Sequence, residues 1–317
     1  MHRRIAVVTA MMALLAACGG SPNTASSTTH TGETTALYTT TQPSVPAVST
    51  PHVVVTLTTT ATKKATTTTV PTCAIASNKG SLTVFAASSM VNVFNDVKAK
   101  YLASHPCVTD VVFSYGSSAT LATQIVNGAP ADVFVSASAA TMTTVQNAGV
   151  LKSTPIVFAR NMAEIMMYPK SSFVGTIGTL QDLLDSRSPG IKVGLCVASA
   201  PCGALANTVL ANARTAYSAP TLTRANIADS EAPSVEDLVM KIEMGEFDAG
   251  IVYHSDCQAA IPGTKAACVE IPASINSSNS YAVGALNAKS NTTDFVSYLD
   301  SYEFQHYAQW KYGFLAP

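Results

Sequence analysis

The chain has 317 residues and a formal net charge of −1, with 18 Lys and Arg set against 19 Asp and Glu. Only 12% of residues are charged and the basic ones are scattered, which argues against nucleic acid as a partner. No apolar run after the first residues is long and uninterrupted enough for a membrane-spanning helix.

Residues 1–17 read as a signal peptide outside the fold. His2-Arg3-Arg4 supplies a positive start, and Ile5 to Ala17 is apolar but too short to span a bilayer. The stretch ends in Leu15-Ala16-Ala17-Cys18, which resembles a bacterial lipobox. That likeness implies cleavage before Cys18, a diacylglycerol on its thiol, and an extracytoplasmic protein anchored to the cell membrane. Residues 18–79 are rich in Thr, Ser, Pro and Ala, with Val53 to Leu57 the main apolar exception. Such a segment buries too little surface to offset its chain entropy, so it reads as a disordered tether that sets reach; its Thr runs, such as Thr66 to Thr69, are candidates for O-glycosylation.

From residue 80 onward, strand-like runs alternate with helical stripes. Leu82-Thr-Val-Phe-Ala-Ala87 precedes Met90, Val93, Phe94, Val97 and Tyr101 at helical spacing. Val111-Val-Phe-Ser-Tyr115 precedes Leu121, Ala122, Ile125 and Val126, with Gly128 as a stop, and Asp132-Val-Phe-Val-Ser136 is a further buried strand. Glu164 to Tyr168 is a strand ending at Pro169, Leu180 to Leu184 a short helix, and Lys192 to Val197 and Asp248 to Tyr253 are strands. Between the last two, Ser234-Val-Glu-Asp237 predicts a capping box, with Val235, Leu238, Val239 and Ile242 inward and Gly245 closing the helix. This grammar means an α/β fold with parallel strands and crossover helices.

Apart from Cys18, the cysteines are Cys73, Cys107, Cys196, Cys202, Cys257 and Cys268. An even set in an exported chain suggests disulfides, although six cysteines allow many connectivities. Proximity favours Cys196–Cys202 and Cys257–Cys268, leaving Cys73–Cys107 to pin the tether. The competing reading, a metal site, lacks CxxC or HxxxH spacing.

Two loops, Phe85-Ala-Ala-Ser-Ser89 and Ser114-Tyr-Gly-Ser-Ser118, end apolar runs and open helical patterns. Further helix starts fall near Cys202-Gly203 and at Ser234-Val235. A helix N-terminus presents unpaired N–H groups and a positive dipole end, and a serine adds a hydroxyl, so such ends facing one another form an anion socket. In open α/β sheets ligands sit at this strand edge.

Val84-Phe-Ala-Ala-Ser-Ser-Met90, Gly116 to Ile125, Gly128-Ala-Pro-Ala-Asp-Val-Phe-Val-Ser-Ala137, Val235 to Gly245, Gly250-Ile-Val-Tyr-His-Ser-Asp256 and the closing Tyr312-Gly313-Phe314 together resemble the periplasmic molybdate-binding proteins of ABC transporters, the ModA family. The likeness runs in order through residues 81–317. It implies a type II periplasmic-binding-protein fold: two α/β lobes with a ligand cleft between them, lobe I from 80–162 and 278–317 and lobe II from 163–277, with crossings near Phe158 to Met167 and Ile271 to Ala285. It implies a monomeric receptor without a cofactor, which captures molybdate or tungstate and delivers it to an ABC permease driven by a cytoplasmic ATPase. The implied oxyanion contacts are Ser89 and Ser118 through hydroxyl and N–H, Cys202 and Val235 through N–H, and Tyr253 through its phenol. Molybdenum would be held only as molybdate by these five groups, with no direct protein ligand. Cys202 stands where many relatives carry alanine, which a backbone donor tolerates, and a bridge to Cys196 would stiffen its loop.

The residue chemistry agrees: every implied contact can donate, and none is Lys or Arg. Molybdate, tungstate and sulfate need only donors near neutral pH, whereas monohydrogen phosphate is better served by a site carboxylate. Neutral dipoles would then compensate the dianion. Glu236, beside Val235, falls on the polar side of its helix stripe and is expected to point outward. Sulfate differs from molybdate mainly in size, so a receptor for another tetrahedral oxyanion is the nearest alternative. A hydrolase has little support, since no Gly-x-Ser-x-Gly elbow occurs and His254-Ser-Asp256 reads as a turn. A surface lipoprotein without transport function would account for the tether but not for the donor-lined helix starts.

Overall fold

The computed structural model describes residues 72–73, 79–187, 189–260 and 265–317. The signal peptide at 1–17, the lipidation site Cys18 and most of the tether at 18–79 lie outside the described residues.

The first lobe opens with β1 (Gly80–Ala87), a 3-10 turn (Ser88–Met90) and α1 (Val91–Ser104), followed by β2 (Val108–Gly116), α2 (Ser118–Val126), β3 (Val133–Ser136) and α3 (Ala139–Asn147). β1 pairs in parallel with both β2 and β3, as the strand–helix–strand rhythm requires. Leu82, Val84 and Ala86 alternate into the core, where α1 lays Val93, Phe94, Val97 and Tyr101 against them.

Next comes β4 (Ile156–Met167), the strand that organises the molecule. Its first part, Ile156 to Met162, pairs antiparallel with β9 (Ser278–Ala285). Its second part, Ala163 to Met167, pairs antiparallel with β7 (Ala249–Tyr253) and β8 (Ala267–Glu270). The second lobe continues with α4 (Leu180–Asp185), β5 (Val193–Cys196), α5 (Pro201–Ala216), α6 (Arg224–Ile227), β6 (Ser230–Ala232), α7 (Val235–Glu243) and, after β7, α8 (His254–Ala260). β5 pairs in parallel with β6 and β7. After β9 the chain closes on the first lobe with α9 (Ser290–Leu299) and α10 (Tyr302–Tyr312).

Each lobe has its own core: Leu82, Val84, Phe94, Phe158, Phe295 and Phe304 in the first, and Ile165, Val193, Leu195, Leu205, Leu238 and Ile251 in the second. The sheets are mixed rather than wholly parallel, because β9 and β4 enter antiparallel. The strand expected at Glu164 begins eight residues earlier; polar Arg160 and Asn161 break its apolar run, yet they sit within the ladder.

The helix ends follow local chemistry, with one correction. Gly245, at φ +76°, closes α7: its N–H reaches the Ile242 carbonyl and the Glu246 N–H reaches that of Lys241. At the other end Ser234 Oγ accepts the Asp237 N–H at 3.2 Å. The Asp237 carboxylate does not reach back to the Ser234 N–H; it accepts the Ser234 hydroxyl at 2.6 Å. The reciprocal box forms instead at α4, between Thr179 and Asp182. Residues 254–256, expected as a turn, are the first turn of α8.

Disulfides join Cys73 to Cys107, Cys196 to Cys202 and Cys257 to Cys268. The one cluster of metal-ligating groups among the described residues, Glu164 with Cys257 and Cys268, has both sulfurs in a disulfide, so no thiolate remains to bind a metal.

Candidate functional site: a charge-free oxyanion socket

Ser89, Ser118, Cys202, Val235 and Tyr253 come together around one small cavity of about 10 Å³ between the lobes. Ala87, Ser88, Gly116, Ser117 and Ala137 complete the wall from the first lobe; Ala200, Pro201 and Ser234 complete it from the second. All five expected residues are buried, and no lining residue carries a charge.

Of the four helix starts at this wall, α7 is capped by Ser234 and the other three carry no side-chain cap. The residues preceding the 3-10 turn, α2 and α5 are Ala87, Ser117 and Ala200, and none makes a side-chain cap. Away from the wall, α3, α4 and α10 are capped by Ser138, Thr179 and Ser301, while α6 and α9 are not. First-turn N–H groups need partners when buried, so uncapped starts around a cavity leave donors for a ligand. Pro201 at the first position of α5 has no N–H of its own and fixes the helical entry, which makes Cys202 the first donor. The Cys202 side chain is committed to its bridge with Cys196, so only its backbone serves the site.

The hydroxyls are oriented by what they accept. Ser118 Oγ accepts the Ala137 N–H at 3.0 Å, leaving its own proton free. Tyr253 Oη accepts from Asn279 Nδ2 at 3.1 Å. Ser89 Oγ lies 2.8 Å from Tyr281 Oη. Burial holds the phenols of Tyr253 and Tyr281 well above their ordinary pKa, so both keep their protons near neutrality. Tyr281, Asn161 and Asn279 are part of this arrangement but carry no sequence signal, being polar residues inside strands and away from any helix start.

Glu236 departs from its expected outward position. It does not line the socket, yet it is half-buried and borders two adjoining cavities of about 240 and 290 Å³. Burial, then the nearby Glu243 and Asp237, raise its carboxyl pKa. Asn92 lines one of these cavities with it, and Ser88, Tyr115 and Thr120 the other, so the first lobe faces Glu236 across both.

Behind Tyr253, Asp256 Oδ2 accepts the Tyr253 N–H at 3.0 Å. Burial pushes this carboxyl from an ordinary 3.8 up to about 8, against the lowering effect of that hydrogen bond. The folded state therefore holds the proton more tightly than the unfolded chain. The resulting stability is complete below the unfolded value and is lost as pH climbs from 3.8 to about 8. The slope is at most about 1.4 kcal/mol per pH unit. Asp256→Asn is expected to flatten the fall in melting temperature over this window; unfolding curves with the same pH dependence in both proteins would contradict it.

Residues 82–315 match the family described as bacterial extracellular solute-binding protein. The molybdate-binding protein ModA of Mycobacterium tuberculosis H37Rv is 35% identical over 210 residues, covering 66% of this chain and 74% of that protein. The chain belongs to the ModA family. Among solved structures, the Azotobacter vinelandii periplasmic molybdate-binding protein superposes on this ModA-family chain with a TM-score of 0.63 at 20% identity, covering 74% of this chain and 99% of the other. The sulfate-binding protein SubI of M. tuberculosis H37Rv superposes with a TM-score of 0.62 at 17% identity, covering 74% and 86%. These two likenesses establish the type II binding-protein fold and do not separate one oxyanion from another. Among the described residues, no helix is long and apolar enough to cross a membrane.

Proposed function

We propose that this protein is an extracytoplasmic solute-binding lipoprotein that captures molybdate, and tungstate with it, and delivers the anion to an ABC permease powered by a cytoplasmic ATPase. The observation that carries the reading is the charge-free socket in which three buried hydroxyls, Ser89, Ser118 and Tyr253, meet uncapped helix starts. Such a wall suits a small, fully deprotonated dianion. Fixed dipoles supply the compensation, and lobe closure removes water from around them. Membership of the ModA family supports molybdate over other dianions. The lipid on Cys18 and the tether at 18–79 would keep the receptor at the membrane surface while letting it reach the permease. The protein acts as a monomeric receptor without a cofactor rather than as an enzyme: the socket offers donors and no general base. In this reading molybdenum is cargo, touched only through its oxygens.

The second reading is a receptor for sulfate, favoured by the similar fold of SubI. Thermal unfolding against a panel of tetrahedral anions tests both. A ligand present at about a hundred times its Kd adds roughly 2.7 kcal/mol of stability. Molybdate and tungstate are expected to raise the melting temperature at micromolar concentrations where sulfate does not. Equal shifts with sulfate would support the second reading, and no shift with any anion would leave a surface lipoprotein without transport function.

A further inference from the structure

Two asparagines face each other on the strands that join the lobes. Asn161 of β4 and Asn279 of β9 are register partners, one rung before the last pair, Met162 and Ser278. Neither lines the socket, yet each ends in its hydroxyls.

Asn279 Nδ2 donates to the Pro201 carbonyl at 3.0 Å and to Tyr253 Oη at 3.1 Å. A carbonyl can only accept, so the bond to Pro201 fixes which end of the amide is the NH2 group. Tyr253 Oη is therefore an acceptor toward Asn279, and its proton has to be donated elsewhere. The same logic applies to Asn161. Its Oδ1 accepts the N–H groups of Met162 at 3.0 Å and Ser255 at 3.4 Å. That turns its Nδ2 toward Ser255 Oγ at 2.7 Å and, more distantly, Tyr281 Oη at 3.5 Å. Tyr281, wholly buried, lies 2.8 Å from Ser89 Oγ, and donation from Asn161 leaves the Tyr281 proton available to that serine.

We propose that Asn279 is a specificity-setting positioning residue: without touching the ligand, it commits the Tyr253 hydroxyl to donation and so biases the socket toward oxyanions that carry no proton. Asn161 acts in the same sense on Ser89 through Tyr281. A hydroxyl free to rotate can accept as well as donate, and a socket of such hydroxyls would accommodate the O–H of monohydrogen phosphate. With one lone pair of Tyr253 Oη already engaged by Asn279 and its proton aimed at the ligand, that O–H would find at best a weak acceptor there, and burying it so costs more than a weak hydrogen bond returns. Both asparagines sit where the strands pass between lobes, so discrimination is built into the hinge rather than the ligand shell. This inference rests on the oxyanion-receptor reading.

A double-mutant cycle on the purified protein tests it, with titration calorimetry against molybdate and, at mildly alkaline pH, against phosphate. Tyr253→Phe is expected to weaken molybdate binding by about 10- to 100-fold and Asn279→Ala by about 10-fold. The double variant is expected to lie within about twofold of Tyr253→Phe alone, because Asn279 acts through the hydroxyl that is already gone. In Asn279→Ala, and in Asn279→Leu, which keeps the side-chain volume, the molybdate-to-phosphate affinity ratio is expected to shrink by about 10-fold. A purely structural role would weaken both anions equally and make the two substitutions multiply; that result overturns the proposal while leaving the receptor reading intact. Wild-type protein that binds no tetrahedral anion overturns the receptor reading, and this inference with it.

Discussion

Replacing Gly203 with alanine is expected to abolish tight anion binding and to destabilise the second lobe by more than about 3 kcal/mol. Helix propensity alone predicts the opposite, since alanine inside a helix is favoured over glycine by about 1 kcal/mol. Packing decides the sign. A Cβ at Gly203 would stand 2.0 Å from the Val197 carbonyl oxygen and 2.8 Å from that of Cys196, and both are backbone atoms that no rotamer change can move aside. The first turn of α5 is pressed onto the end of β5, where the Cys196–Cys202 bridge ties the two and Arg224 bonds the Cys196 carbonyl. To admit a methyl group the helix start must lift, carrying the Cys202 N–H away from the socket. Chemical denaturation and calorimetry on the same variant check both parts. Wild-type stability with unchanged affinity would contradict the placement of α5.

The second large effect is at the hydroxyls. Ser118→Ala and Tyr253→Phe are each expected to weaken anion binding by about 1–3 kcal/mol, the value of a hydrogen bond to a charged group. Their stability costs should differ. Ser118→Ala also leaves the buried Ala137 N–H without its acceptor, so it should lower stability as well as affinity. In Tyr253→Phe, Asn279 Nδ2 retains the Pro201 carbonyl, so affinity should fall with little loss of stability. Unchanged affinity in both variants would remove these residues from the site.

The helix starts at Ser89, Ser118, Cys202 and Val235 were legible as strand-to-helix boundaries that offer donors, whereas Tyr253 and the grouping of all five into one contact set were implied only by the family resemblance. Their convergence was not legible, since it depends on both lobes meeting across the cleft. The hinge residues were invisible for a different reason. Asn161 interrupts an apolar run and hides the true length of β4, while the role of Asn279 depends on sheet register with a residue 118 positions earlier, 279 − 161. Glu236 shows the limit of helix periodicity: the polar side of α7 is polar with respect to its own lobe, but the other lobe faces Glu236 across both cavities. Asp237 shows the limit of a capping motif, because the spacing allows a reciprocal box and the carboxylate takes the serine hydroxyl instead.

The most direct test of the central claim is isothermal titration of the protein with molybdate, in buffer and in the presence of excess sulfate or phosphate. The charge-free, donor-only socket predicts tight one-to-one binding of molybdate that neither competitor displaces. Displacement by sulfate at comparable concentration would contradict the molybdate assignment, and displacement by phosphate would contradict the donor-only socket itself.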